Sequence, residues 1–358
     1  MHNYKLITIS PVHVSSGNKL QKTFDFMVVG DRVNVLSFDK FLASLTEKES
    51  SLLEKLIEQE NYENIYKDIN KPIESYSKYS LRLLANNNDK PREILEHIKT
   101  ILNKKGDYGA YIPGSTVKGF IRFAILFQIL KDLINCEGEK GTKKLQDSDV
   151  RNIEKSIFSI KDYLKLMTFF KVFDSDPIDI EHLEVRNVEV RNFVTLFSRR
   201  SISEYAELIK ENTETYISIK DNEFEEKLKN IIPKLDIRPE QYKFYIDTIK
   251  DWKKACYELS KSIIEHEIEF FSNNKEIKSF KEIKSFYEKL KDQNKPESPL
   301  LRIGKYKGKI SQTLILLKDR IRCIDGSYPK TRRVTEDKIG YGQVKSVPIG
   351  WVKLENAN

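Results

Sequence analysis

Apolar and polar positions alternate from Tyr4 to Ile9, the period of a half-buried strand. Phe24 to Val29 and Val33 to Leu36 alternate in the same way around Gly30-Asp31, a pair suited to a hairpin turn. Between these strands lies a long polar loop, residues 10–23, SPVHVSSGNKLQKT. At Phe38 the period becomes helical: Phe38, Phe41, Leu42 and Leu45, then Leu52, Leu53, Leu56 and Ile57, with Ser37 placed to cap. The pattern predicts a helical stretch running, with breaks at Pro72 and Pro91, to about Leu102. Tyr108 to Pro113 is a short apolar lead into a long, strongly apolar helix expected over Ser115 to Ile134.

Further strands are expected at Thr168 to Phe173, at Leu183 to Leu196 through the near-repeat VRNVEVRN, and at Thr215 to Ile219. Residues 222–292 are charged and helix-periodic, as in Ile263, Ile264, Ile268 and Phe271, then Phe280, Ile283, Phe286, Tyr287 and Leu290. They read as an inserted helical subdomain ended by Pro296 and Pro299. All 14 glycines lie in residues 1–141 or 304–358, leaving a glycine-free centre. Strands at both ends with helices between imply an α+β architecture.

A chain of 358 residues is long enough for about two domains and a large core without staples. Its 3 cysteines, Cys136, Cys256 and Cys323, are scattered, which fits a reducing cytoplasm and excludes a secreted disulfide framework or a four-thiolate zinc site. No signal peptide or membrane span is expected, because the most apolar stretch is interrupted by Arg122, Gln128, Lys131 and Asp132. Charge changes the picture through its placement. The 62 basic and 54 acidic residues give net +8, and residues 300–358 alone carry 13 basic against 5 acidic. A concentrated basic end points to a polyanion, since phosphate affinity comes from clustered Lys and Arg.

Three segments carry candidate RNA contacts. In YIPGSTVKGFIRFAIL, residues 111–126, Gly114 permits a turn, Ser115 can cap the helix, and Lys118 and Arg122 share a helix face; Gly119 leaves room for another backbone. The nucleotide-binding phosphate loop is excluded, because Phe120 and Ile121 follow Gly119 where lysine and a hydroxyl are needed. In LLRIGKYKGKISQTLILL, residues 300–317, Arg302, Lys305, Lys307 and Lys309 surround Gly304, Tyr306 and Gly308, a mixture suited to a backbone and a stacked base. In IGYGQVKSVPIGWVKL, residues 339–354, Gly340, Gly342 and Lys345 are the candidates, while Trp351 reads as core. Lys330, Arg332 and Arg333 add to the same field, and His13, Ser16 and Gly17 mark the first loop.

Catalytic and metal signals are thin. None of the 5 histidines has metal-ligand spacing, and no cofactor is expected. Asp174 and Asp176 suit a turn or cap better than a magnesium ion. His13 is the best general acid or base for RNA cleavage, because imidazole titrates near neutrality.

The opening strand with PVHVSSG, then YIPGSTVKGFIR, FFKVFDSD, LLRIGKYKGKISQT and PIGWVKLE, resemble the RAMP superfamily in the order found in the fifth Csm subunit, the capping protein of type III-A CRISPR effector complexes. The matching pieces cover about a third of the chain. The resemblance implies two ferredoxin-like domains, placed at residues 1–197 and 198–358; the helical stretches at about 43–103 and 222–292, read as insertions from their periodicity, lie outside it. It also implies a non-catalytic subunit that caps the backbone filament, holds the 3′ part of the CRISPR RNA, meets the neighbouring backbone subunit and supports RNA maturation through recruited nucleases. Backbone relatives that cut RNA carry an aspartate in the loop after the first strand; residues 10–23 hold no acid, and Asp25 lies just beyond. A metal-independent endonuclease using His13, and a protein-interaction subunit that ignores RNA, are the alternatives.

Overall fold

The computed structural model describes residues 1–62, 65–84, 90–102, 106–136, 167, 170–193, 202–221, 239–273, 278–319, 327–339 and 343–357. The first part comprises β1 (His2–Thr8), β2 (Ser15–Gln21), β3 (Phe26–Val29), β4 (Arg32–Leu36), α1 (Phe38–Ala43), α2 (Glu47–Glu58), α3 (Ile65–Ile69), β5 (Ser77–Leu84), β6 (Glu93–His97), β7 (Lys99–Ile101) and β8 (Tyr108–Ala110). The middle holds α4 (Gly114–Cys136), β9 (Lys171–Val172), β10 (Ile178–Asp179), β11 (Leu183–Asn192), β12 (Ile202–Ile209) and β13 (Glu214–Lys220). Then follow α5 (Pro239–Lys250), α6 (Trp252–Ser272), α7 (Lys278–Gln293), β14 (Leu300–Arg302), β15 (Thr331–Ile339), β16 (Gln343–Pro348) and β17 (Trp351–Asn356).

The central sheet has the order β14-β17-β1-β13-β9, with every pairing antiparallel. Stripped of the edge strand β14, the succession β1, α4, β9, β13, α6, β17 is the β-α-β-β-α-β unit of the ferredoxin-like fold, so the architecture is α+β. The expected division at residue 197 runs through this unit: β1, α4 and β9 precede it, and β13, α6 and β17 follow it. Helix α4 buries Val117, Phe120, Ile121, Ala124, Ile125, Ile129 and Leu130. It packs on α6, whose Trp252 meets Tyr4 of β1 edge-on at 5.8 Å. An apolar stripe on each helix therefore closes over the sheet.

A second sheet follows the path β2-β6-β12-β11-β5-β4-β3, and β11 also pairs with β15, which pairs with β16. Six strand spacings of about 4.8 Å would separate its end strands by roughly 29 Å if it were flat. Only residues 22–25 join β2 to β3, a link that spans at most about 18 Å. The sheet must therefore curl, and β2 and β3 meet at a seam where Lys22 bridges Phe26. A small third sheet has the order β10-β8-β7, with β8 just before α4 in the chain.

The Gly30-Asp31 hairpin and the Ser37 cap form as expected, with Ser37 accepting from the Lys40 amide at 3.3 Å. The expected helical stretch to Leu102 does not: the α-helices end at Ile69, a single 3-10 turn covers Ile73–Ser75, and Ser77–Leu84, Glu93–His97 and Lys99–Ile101 form β5, β6 and β7. Tyr79, Leu81 and Leu83 face inward alternately with Lys78, Ser80 and Arg82, a strand period inside the presumed helix. Helices α1 to α3 keep a core of their own, with Phe41, Tyr66 and Tyr76 in mutual ring contact. Within 222–292 the helices α5, α6 and α7 form, and residues 222–238 lie outside the described ones. Among the described residues no helix is long and apolar enough to cross a membrane.

Candidate nucleic-acid interface

The chain after β1, the segment after β14 and the start of β17 are laced together by backbone hydrogen bonds. Lys305 N donates to His13 O at 3.0 Å, Ile303 N to Gly350 O at 2.7 Å, and Gly350 N to Pro11 O at 2.9 Å. Gly304 sits at φ +83°, and a Cβ there would overlap the His13 carbonyl. The glycine lets two backbones touch where any side chain would part them. This lacing fixes where the basic segment 302–309 leaves the sheet.

That segment faces β15 across a cleft of about 420 Å³. Arg302, Lys307, Lys309, Arg332 and Arg333 line it, with Glu267 of α6 the one carboxylate among the lining residues. Arg302 is only 2% exposed; its contacts to Ile349 O and Ser311 Oγ are both long, at 3.4 Å, and its guanidinium lies 5.4 Å from the Trp351 ring centre. Arg332 donates Nε to Glu267 at 2.7 Å, bonds the carbonyls of Pro329 and Thr331, and stacks 4.1 Å from the Phe270 ring centre. Its Nη2, the Nε of Arg333 and the Oε1 of Glu267 are buried without a protein partner. Burial lowers the pKa of Lys307. Buried N–H groups left unbonded are costly, so the arrangement suits an anion that would receive them.

Lys305 is exposed, 3.5 Å from Glu204 and 5.4 Å from the Tyr306 ring centre. Lys330 is exposed, and its carbonyl receives Phe193 N at 3.0 Å. Lys345 is half-buried on β16, in register with Asp337. Gly340 and Gly342 lie outside the described residues. Ser16 and Gly17 are on β2, where Ser16 Oγ donates to Glu96 at 3.0 Å and Gly17 occupies the bulge at φ +94°.

At the start of α4 the cap is supplied from outside the helix. Gly114 N donates to Asp174 Oδ1 at 2.8 Å, while Ser115 is exposed. A Cβ on Gly114 would overlap the Val172 carbonyl; one on Gly119 would meet nothing within 4 Å. The close backbone approach expected at Gly119 therefore occurs at Gly114. Lys118 Nζ donates to Met167 O at 2.6 Å, and burial followed by Arg122 lowers its pKa. Arg122 is exposed.

His13 is fully buried. It donates Nδ1 to Glu207 O at 2.7 Å, and its ring packs near those of His97 and Tyr306. Burial pulls its pKa down to about 4, so the imidazole is neutral near pH 7. Glu207, also buried, accepts from Tyr79 OH at 2.8 Å, from His97 N at 2.8 Å and from Lys99 Nζ. This network ties β5, β6, β7 and β12 beneath the first loop. Among the described residues no group of three or more His, Cys, Asp or Glu is placed to hold a metal ion.

Glu267 escaped the sequence reading, though its signal was present. It lies three residues after Ile264 and four before Phe271 on an apolar helix face. A carboxylate in such a stripe calls for a buried cation, here Arg332.

The RAMP superfamily model matches residues 5–309. A chain of a Csm-crRNA-target RNA ternary complex of a type III-A CRISPR-Cas system, solved by cryo-EM, superposes with TM-score 0.69 at 23% identity, covering 99% of this chain and 100% of that one. The crystal structure of T. onnurineus Csm5 gives TM-score 0.63 at 20% identity, covering 97% and 99%. At these identities the likeness is one of fold. No curated protein matches the sequence.

Proposed function

The chain belongs to the RAMP superfamily, and from that membership we propose that it is the RNA-holding capping subunit of a Csm-type, type III-A CRISPR effector complex. The observation that carries the reading is the cleft between residues 302–309 and β15, where five cations from separate segments converge and buried N–H groups stand unbonded. Phosphates of the CRISPR RNA 3′ part are the ligand this chemistry fits. The full-length likeness to a chain of a Csm-crRNA-target RNA complex supports the same partner and the same neighbours, the other Csm subunits.

The subunit positions RNA and does not cut it. His13, the best acid-base candidate, is buried and neutral, bonded to a backbone carbonyl. The loop 10–23 offers no carboxylate in its place. The helices α1 to α3 and the exposed faces of α5 and α7 are surfaces for protein neighbours, including the adjacent backbone subunit and recruited nucleases.

The test is a salt-titrated binding assay with end-labelled CRISPR RNA carrying its 3′ spacer portion, the same samples being run on a denaturing gel. Salt-sensitive binding of intact RNA is expected. Specific cleavage without added metal would replace this reading with an endonuclease. Salt-insensitive binding, or retention of an acidic protein in place of RNA, would remove the cleft from it.

A further inference from the structure

A larger cavity, about 720 Å³, opens at the seam of the curled sheet. Met27, Val28 and Tyr66 form part of an apolar floor over the fully buried Phe26, and Lys22, Lys67, Lys90 and Arg92 stand around it. All four cations are exposed, no carboxylate lines the cavity, and no ion pair engages them among the described residues. On the four-residue turn that carries Lys22, Phe24 is 56% exposed, its ring 5.6 Å from that of Tyr62, itself 37% exposed. Two large rings that keep part of their apolar surface in water lie close in the chain to a cationic basin, and covering that surface would be favourable.

We infer that the seam is a second nucleotide site, which takes one nucleoside phosphate unit of a single-stranded RNA. The base lies on the apolar floor or against the Phe24–Tyr62 pair, and the phosphate sits among the rim cations. Flat apolar surface next to unpaired lysine and arginine is the combination that sequence-tolerant single-strand binding uses. An acidic peptide would be served by the cations alone and gives the exposed ring pair no part. The cavity shares no lining residue with the 302–309 cleft, so the inference goes beyond the proposed function and can fail separately from it.

A short oligouridylate carrying 4-thiouridine, irradiated with the full chain and mapped by peptide mass spectrometry, tests it. Adducts on the segments holding Phe24, Tyr62 or Tyr66 are expected. In Lys22→Glu/Arg92→Glu, which alters only exposed side chains, those adducts should be lost and the apparent affinity should fall roughly tenfold. They should persist in Lys307→Ala/Arg333→Ala, whose loss of binding elsewhere reports on the cleft alone. Excess uridine monophosphate that abolishes the adducts would identify a free nucleotide as the source, and persistence of the adducts would identify the strand. Adducts confined to residues 302–345, no adduct at all, or a rim variant whose only defect is loss of an acidic protein would overturn the site.

Discussion

The carboxylate of Glu267 receives Nε of Arg332 at 2.7 Å, yet its other oxygen and the arginine's Nη2 are both buried without a protein partner. The two groups satisfy each other by half. In a well-packed interior such a remainder is destabilising, and it lines the cleft assigned to RNA phosphate.

Removing one member of this pair leaves the other charge buried. Glu267→Gln should lower unfolding stability by about 3 kcal/mol in urea titration, at the lower end for a broken buried ion pair. Because the substitution also frees Arg332 for an anion, RNA should restore more stability to the variant than to the parent. Equal restoration in both proteins would separate Arg332 from RNA.

The neighbouring cations should act uniformly across sequences. Lys307→Ala and Arg333→Ala should each reduce the slope of log affinity against log salt by about 0.7 for a single strand, without altering base preference. A change in base preference at constant slope would point to base contact instead of phosphate contact.

Stability should fall with acid. His13 has its pKa lowered from 6.5 to about 4, and that of His97 is also lowered, chiefly by burial. The neutral form is therefore the folded one. Each histidine contributes stability that is fully present above pH 6.5 and is lost as pH falls below it, down toward about 4 for His13, at about 1.4 kcal/mol per pH unit. Denaturation midpoints measured from pH 7 to pH 5 check the sign. His13→Gln keeps a donor for the Glu207 carbonyl and should flatten the slope by about one proton; an unaltered slope would show that His13 does not carry it.

Two glycines should respond oppositely to alanine. Gly304→Ala forces a methyl into the His13 carbonyl at a positive φ, and should destabilise the chain and weaken RNA binding together. Gly119 sits in open space inside α4, so Gly119→Ala should stabilise by about 0.5–1 kcal/mol, read as a raised melting temperature. A stabilised Gly119→Ala protein that loses RNA would mean that RNA passes where the methyl was added.

What the sequence made legible was local. The turn at Gly30-Asp31, the cap at Ser37 and the buried face of α4 depend on neighbours within a few residues. So did the gathering of positive charge after Leu300. Strand β5 was readable in the alternation of Tyr79, Leu81 and Leu83, but adjacent helical periodicity masked it. The burial of Arg302 and Arg332 was not legible, because it depends on Trp351, Phe270 and Glu267 arriving from elements far away in the chain. The seam cavity was invisible for the same reason. Its lysines and arginine are spread over residues 22–92 and converge only because the sheet curls.

Strand β1 is synthesised well before either of the strands it pairs with. Its two neighbours are residues 214–220 and 351–356, so neither exists while the opening strand leaves the ribosome. At about 5–20 residues per second, β1 waits roughly 10–40 seconds for the first partner and longer for the second. During that time Tyr4 and Leu6, both nearly inaccessible in the finished fold, are carried on a strand with two open edges. The centre of the molecule is thus a late event in its own biogenesis, and a nascent chain halted before β17 would present an adhesive ribbon where the completed protein has a strand paired on both edges.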